Sequence, residues 1–113
     1  MDDYPVFVAK AAQAVSLDPT ESRAIIFGQT GQGEDMVADK FPHVRSAEFY
    51  GGTLEVVELS RQHNDANVLS IGAGFVAQNE AIEAIMLWLN TAFSGDERHM
   101  RRIEQIENLK IEE

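Results

Sequence analysis

The feature that most restricts this chain is the run Ala24-Ile25-Ile26-Phe27, which leads directly into Gly28-Gln29-Thr30-Gly31-Gln32-Gly33-Glu34. A short apolar run with no polar alternation is the pattern of a strand covered on both faces, as in a parallel sheet. The segment from Val44 to Tyr50, closed by Gly51-Gly52, is a second strand candidate, and Val68-Leu69-Ser70-Ile71, closed by Gly72, is a third.

Helical patterns fill the intervals. Phe7, Ala11, Ala14 and Val15 recur at helical spacing and predict a helix over residues 5–15, with Pro5 in its first turn. Leu17-Asp18-Pro19-Thr20 reads as a loop. Glu34 to Lys40 reads as a helix with Met36 and Val37 on one side, ended by Phe41-Pro42. Thr53 suits an N-cap, with Glu55 in the first turn of a helix carrying Leu54, Val57 and Leu59. Ile82, Ile85, Met86 and Leu89 mark the apolar stripe of a long helix. Ser94-Gly95-Asp96 breaks the chain, and Asp96 caps a last helix with Met100, Ile103 and Ile106. Strands alternating with helices imply parallel pairing and right-handed crossovers, hence an α/β fold. Three strands make a thin sheet where about five are usual, so an edge is expected to be missing or to be covered by another chain.

A length of 113 residues is that of a single domain, 1–113. With 44% apolar and 25% charged residues the composition argues against disorder. No apolar run reaches the length of a bilayer span, and Met1-Asp2-Asp3-Tyr4 is no secretory leader. A soluble cytoplasmic protein, not associated with membrane, is therefore expected. Nine basic against 19 acidic residues leave a net charge of −10, which repels nucleic acid. An anionic substrate would need locally concentrated cations, and Arg98, Arg101 and Arg102 are three of the nine, with His99 among them. No cysteine is present, so there is no thiol nucleophile, and no grouping has metal-ligand spacing; neither metal nor cofactor is expected.

Three segments are candidates for chemistry. Gly28 to Glu34 lies between a strand and a helix, where ligands of open α/β sheets bind. Its spacing is neither a dinucleotide fingerprint nor a P-loop, and a tight turn with Glu34 favouring the helix dipole explains it equally well. Ser60-Arg61-Gln62-His63-Asn64-Asp65 ends a helix, where a histidine often serves only the dipole. Arg98 and Arg102 stand one helical turn apart and can reach one phosphate; the alternative is a solvated face paired with Glu97, Glu104 and Glu107.

Taken in order, Gly-x-Thr-Gly-x-Gly, then Lys40, Ser-Arg-Gln-His-Asn-Asp, Asn67-Val68-Leu69, Ile71-Gly72-Ala73, Phe93-Ser94-Gly95 and Arg98-His99-x-Arg101-Arg102 resemble the ribose-5-phosphate isomerase B and galactose-6-phosphate isomerase family. Tyr4-Pro5 resembles that family's Asp-Tyr-Pro segment, so the likeness covers nearly the whole chain. It implies aldose–ketose isomerisation of a phosphorylated sugar, ribose 5-phosphate first among them. It implies a Rossmann-like α/β/α sandwich whose C-terminal helix packs on a partner subunit, in a homodimer, a dimer of dimers or a hetero-oligomer, with shared active sites. One branch of the family places its base, a cysteine, at the position of Gly28; the other uses a glutamate at that of Glu34, and this chain resembles the second. Gly31, Gln32 and Gly33 would then offer N–H groups to the enediolate and Thr30 would line the pocket. His63 would open the sugar ring, Asn64 would touch substrate, and Arg98 and Arg102 would hold the phosphate of a neighbour's substrate.

The chain departs from the family pattern in two places. Gly74 stands where an arginine is usual, and the family's first strand-helix-strand unit, with its Asp-His pair, has no counterpart here. The resemblance thus implies a domain incomplete at its N-terminus, with little activity alone; alternatively the chain is a helper that assembles with a full-length isomerase.

Overall fold

The strand β3 (Val68–Gly72) is buried at every position, and the molecule is arranged around it. In the computed structural model, which describes residues 3–111, β1 (Ala24–Gly28) and β2 (Ser46–Phe49) flank it in the order β1-β3-β2, all parallel. Ala24 and Ser46 both pair with Val68, and Phe27 and Phe49 both pair with Ile71. The ladder makes the third run the central strand.

Successive residues of a strand face opposite sides, and the two cores follow from this. On one side Ile26 and Val68 pack with Val8, Ala12 and Val15 of α1 (Tyr4–Leu17), Ala38 of α2 (Gln32–Ala38), and Val44. On the other, Phe49, Leu69 and Ile71 pack with Val57 of α3 (Glu55–Asn64) and with Ala84 and Trp88 of α4 (Gln78–Asn90). The result is the expected three-layer α/β/α sandwich. The last helix, α5 (Glu97–Glu107), touches α3 beyond the edge of this core.

Several details differ from the sequence expectations. β2 begins at Ser46 because side chains occupy the preceding backbone: the Arg45 N–H donates to Asn67 Oδ1 (2.8 Å) and the Ser46 N–H to Asp39 Oδ1 (2.9 Å). Helix α2 begins at Gln32, two residues early, because Gly31 adopts a left-handed φ of 80° and turns the chain at once. The stripe Ile82, Met86 and Leu89 does not face the core; all three are exposed, and Ala84 and Trp88 are buried instead. Phe7 and Met36 are likewise exposed, while Val8 and Ala12 fill the core. Small residues at Ala12 and Ala84 let the helices approach the sheet, whereas periodicity weighted by side-chain bulk favours the wrong stripe. Thr53 does cap α3, its Oγ1 accepting the Glu55 N–H (3.2 Å), and Asp96 Oδ1 accepts the Arg98 N–H (2.8 Å) at the start of α5.

Candidate active site

The glycine loop sits at the carboxyl ends of the strands and is held from below. Ser70 Oγ, fully buried in β3, donates to the Gly31 carbonyl (2.6 Å), while the Ala73 N–H donates to the Gly28 carbonyl (2.8 Å). Thr30 Oγ1 accepts the Gln32 N–H (3.1 Å). Among the described residues the Gly31 and Gly33 N–H groups have no acceptor, which leaves two donors at the mouth of the loop. Glu34, in the first turn of α2, is 8% exposed, and its carboxyl group lies directly on Gly28: a Cβ at position 28 would overlap it. A side chain at 28 and the Glu34 carboxylate therefore compete for one space. The Tyr4 hydroxyl covers Gly33 in the same manner. Beside the loop a cleft of about 150 Å³ is lined by Thr30, Gln32, Tyr50 and Phe75, the last two meeting edge to face at 6.4 Å.

His63, Asn64, Arg98 and Arg102 lie at the other end of the sheet. Helix α3 leaves the carboxyl end of β2 and must return to the amino end of β3, so its last turn is carried away from the loop. Arg45, just before β2, marks that end: its Nε donates to the Asn64 carbonyl (2.9 Å) and its Nη2 to the Asp65 carbonyl (3.0 Å). Five residues of β3 separate the two ends, about 16 Å of extended chain. There the His63 ring lies 4.2 Å from the His99 ring, tilted by 34°. His99 is buried, with Nδ1 3.0 Å from Ser94 Oγ and Nε2 3.4 Å from Arg98 Nη2. Burial, then the charges of His63 and Arg98, hold the His99 pKa below the usual histidine value. The Arg98 backbone N–H, bound to the Asp96 carboxylate, holds that carboxyl below its usual range.

The structure thus gathers Thr30, Gly31, Gln32, Gly33 and Glu34 at one end, and His63, Asn64, Arg98 and Arg102 at the other. Arg98 and Arg102 are exposed on α5, and among the described residues neither pairs with Glu104 or Glu107. Glu107 binds Arg45 Nη1 (2.6 Å) and lies 3.3 Å from His43 Nδ1. Arg61, from the same motif as His63, is a structural clamp: 3% exposed, it donates to the Thr91 and Ala66 carbonyls and to Asp65. Three residues here, Tyr50, Phe75 and His99, have no role assigned from the sequence. Tyr50 and Phe75 carry no local signal, since they meet only across strand ends. His99 does carry one, since it falls between two candidate arginines, but its contact with His63 needs α5 docked on α3.

Residues 1–106 match the model of a family described as Ribose/Galactose Isomerase. The ribose-5-phosphate isomerase B of Mycolicibacterium paratuberculosis is 36% identical over 103 residues, which are 91% of this chain and 63% of that protein. The enzyme of the same name from Escherichia coli K12 is 36% identical over 107 residues, 92% of this chain and 67% of that one. Among solved structures, ribose-5-phosphate isomerase B of Mycoplasma genitalium with bound ribulose-5-phosphate superposes with a TM-score of 0.88 at 35% identity, over 94% of this chain and 68% of that one. The type B enzyme of Trypanosoma cruzi gives a TM-score of 0.87 at 36% identity, over 94% and 69%. The chain thus spans a little under two thirds of the length of the first relative.

Proposed function

The chain belongs to the ribose/galactose isomerase family, and from that premise we propose that it isomerises a phosphorylated sugar, ribose 5-phosphate to ribulose 5-phosphate, without a cofactor, in the cytoplasm. Glu34 removes the proton from C2 of the open-chain aldose and returns it to C1 of the enediolate, as a general base and then a general acid, while the hydroxyl proton passes from O2 to O1. The Gly31 and Gly33 N–H groups, which have no acceptor among the described residues, face the developing oxyanion, a fixed-donor arrangement that needs no reorganisation as charge appears. Thr30 shapes the same pocket, and the Gln32 amide acts through it, since Thr30 Oγ1 accepts its N–H. His63 takes the proton of the anomeric hydroxyl and gives one to the ring oxygen, Asn64 orients the sugar, and Arg98 and Arg102 hold the phosphate.

The observation that carries this reading is the separation of the base from the His63–Arg98 group by the length of the sheet. One site then takes its glycine loop from one copy and its histidine and arginines from a second, with α5 packed on the partner in a two-fold dimer. No helix among the described residues is long and apolar enough to cross a membrane. The retained base, histidine and arginine pair favour an enzyme over a helper subunit. The test is co-expression of Glu34→Gln with His63→Ala in the protein at its natural length. Each variant alone should lose turnover of ribose 5-phosphate; the co-expressed population should recover about a quarter of it, since about half its dimers are mixed and each of those keeps one of two sites intact. Mixtures no more active than the separate variants would sink the shared site.

A further inference from the structure

We propose that His99 is a positioning residue, a neutral imidazole that sets both Arg98 and His63 without itself touching substrate. The argument begins with its surroundings. His99 is 7% exposed, yet polar and charged groups face it: Ser94 at Nδ1, Arg98 at Nε2, the His63 ring from α3, and the charges of Asp96, which caps α5, and Arg102. A guanidinium has donors only and accepts nothing. With Arg98 Nη2 at 3.4 Å, Nε2 must therefore be the unprotonated acceptor. The ring proton then belongs on Nδ1, donated to Ser94 Oγ, which also accepts the Asp96 N–H (3.1 Å).

A second proton would turn Nε2 from acceptor to donor, facing another donor, and would set a cation 4.2 Å from the His63 ring. Burial and the flanking cations both oppose this. One ring thereby holds the exposed Arg98 side chain by its tip and supports the exposed His63 by its face. A flexible arginine anchored in this way loses less freedom when it grips an anion. The inference rests on the isomerase reading only for what Arg98 and His63 do; the geometry of His99 is independent of it.

The test separates the two contacts. His99→Phe keeps an aromatic face for His63 and removes the acceptor for Arg98. His99→Gln restores an acceptor near the Nε2 position and removes the face. Inorganic phosphate is the probe, titrated against the unaltered protein and both variants. Phosphate should bind His99→Phe about 3–10-fold more weakly, the worth of one hydrogen bond, and His99→Gln close to normally. In turnover assays His99→Phe should raise KM with kcat nearly kept, while His99→Gln should lower kcat. Imidazole ¹⁵N spectra of the unaltered protein should show His99 protonated on Nδ1 alone. A proton on Nε2, or equal phosphate affinity in all three proteins, overturns the proposal. If the unaltered protein at its natural length turns over no sugar phosphate while spectra and phosphate affinities behave as stated, the isomerase reading fails and the role of His99 stands.

Discussion

The two ends of the sheet are built on opposite terms. At the carboxyl end the proposed chemistry rests on backbone and one buried carboxylate, packed so that a Cβ at Gly28 or Gly33 would overlap the Glu34 or Tyr4 side chain and one at Gly72 the Thr30 backbone. At the amino end it rests on long, exposed side chains, two of them on a helix that, among the described residues, packs chiefly on α3 and is tied by the Glu107 contacts to Arg45 and His43. The first arrangement is preset because strand, loop and helix follow one another within fifteen residues and are pinned by Ser70. The second depends on where α5 docks. A catalytic base benefits from the first kind of site, where geometry is preset; a grip on a charged, mobile phosphate works through the second.

If that contrast holds, the largest effect belongs to the carboxyl end. Glu34→Gln should lower turnover by at least a factor of ~10², the low end for loss of a general base, with little change in KM and no loss of fold. Steady-state kinetics with ribose 5-phosphate checks it, and near-normal turnover would remove Glu34 from the mechanism.

Arg61 and Arg102 sharpen the contrast at the amino end, since both are arginines there and only one is buried. Arg61→Ala should destabilise by about 3 kcal/mol, because two carbonyls and Asp65 lose a charged donor together and Trp88 loses a neighbouring cation. Chemical denaturation measures it. Arg102→Ala should leave stability within about 0.5 kcal/mol, as expected of an exposed site. It should raise KM about tenfold, the worth of one charge-assisted contact to phosphate. Equal stability losses in the two variants would erase the distinction between clamp and grip.

The smallest effect lies on the α2 flank, where Asp35, Asp39 and Glu48 cluster about Ser46. Burial is the first cause that raises each of their pKa values, and the Asp35 charge raises the other two further. A carboxyl with a raised folded pKa binds its proton more tightly in the fold. Its contribution is therefore present below the unfolded value and is lost as pH rises through the folded one. Asp35→Asn should accordingly raise Tm at neutral pH, by a fraction of the ~4–8 °C that 1 kcal/mol moves in a domain of this size. The gain should vanish at acid pH, where Asp35 is already neutral. A variant less stable at neutral pH than the unaltered chain would show that Asp35 is held by contacts its charge needs.

Much of this was legible in the residues themselves. The order of elements, the parallel sheet and the turns at Gly31 and Gly51-Gly52 follow from short-range physics, because apolar runs, caps and positive-φ glycines act on their immediate neighbours. Asp96 and Thr53 cap as their positions imply. The candidate residues were also visible, as motifs in one order along the chain. Their grouping was not. The residues alone set His63 and Glu34 among the same candidates, whereas the parallel crossover, in which α3 returns to the start of β3, sets them at opposite ends of the sheet. The burial of Ala84 and Trp88 in place of Ile82, Met86 and Leu89 has the same origin. Periodicity allows more than one stripe on a helix, and the space left by the sheet chooses between them. His99 is the plainest case: its type and position are fixed in the chain, but its burial, its tautomer and its contact with His63 exist only where α5 lies against α3.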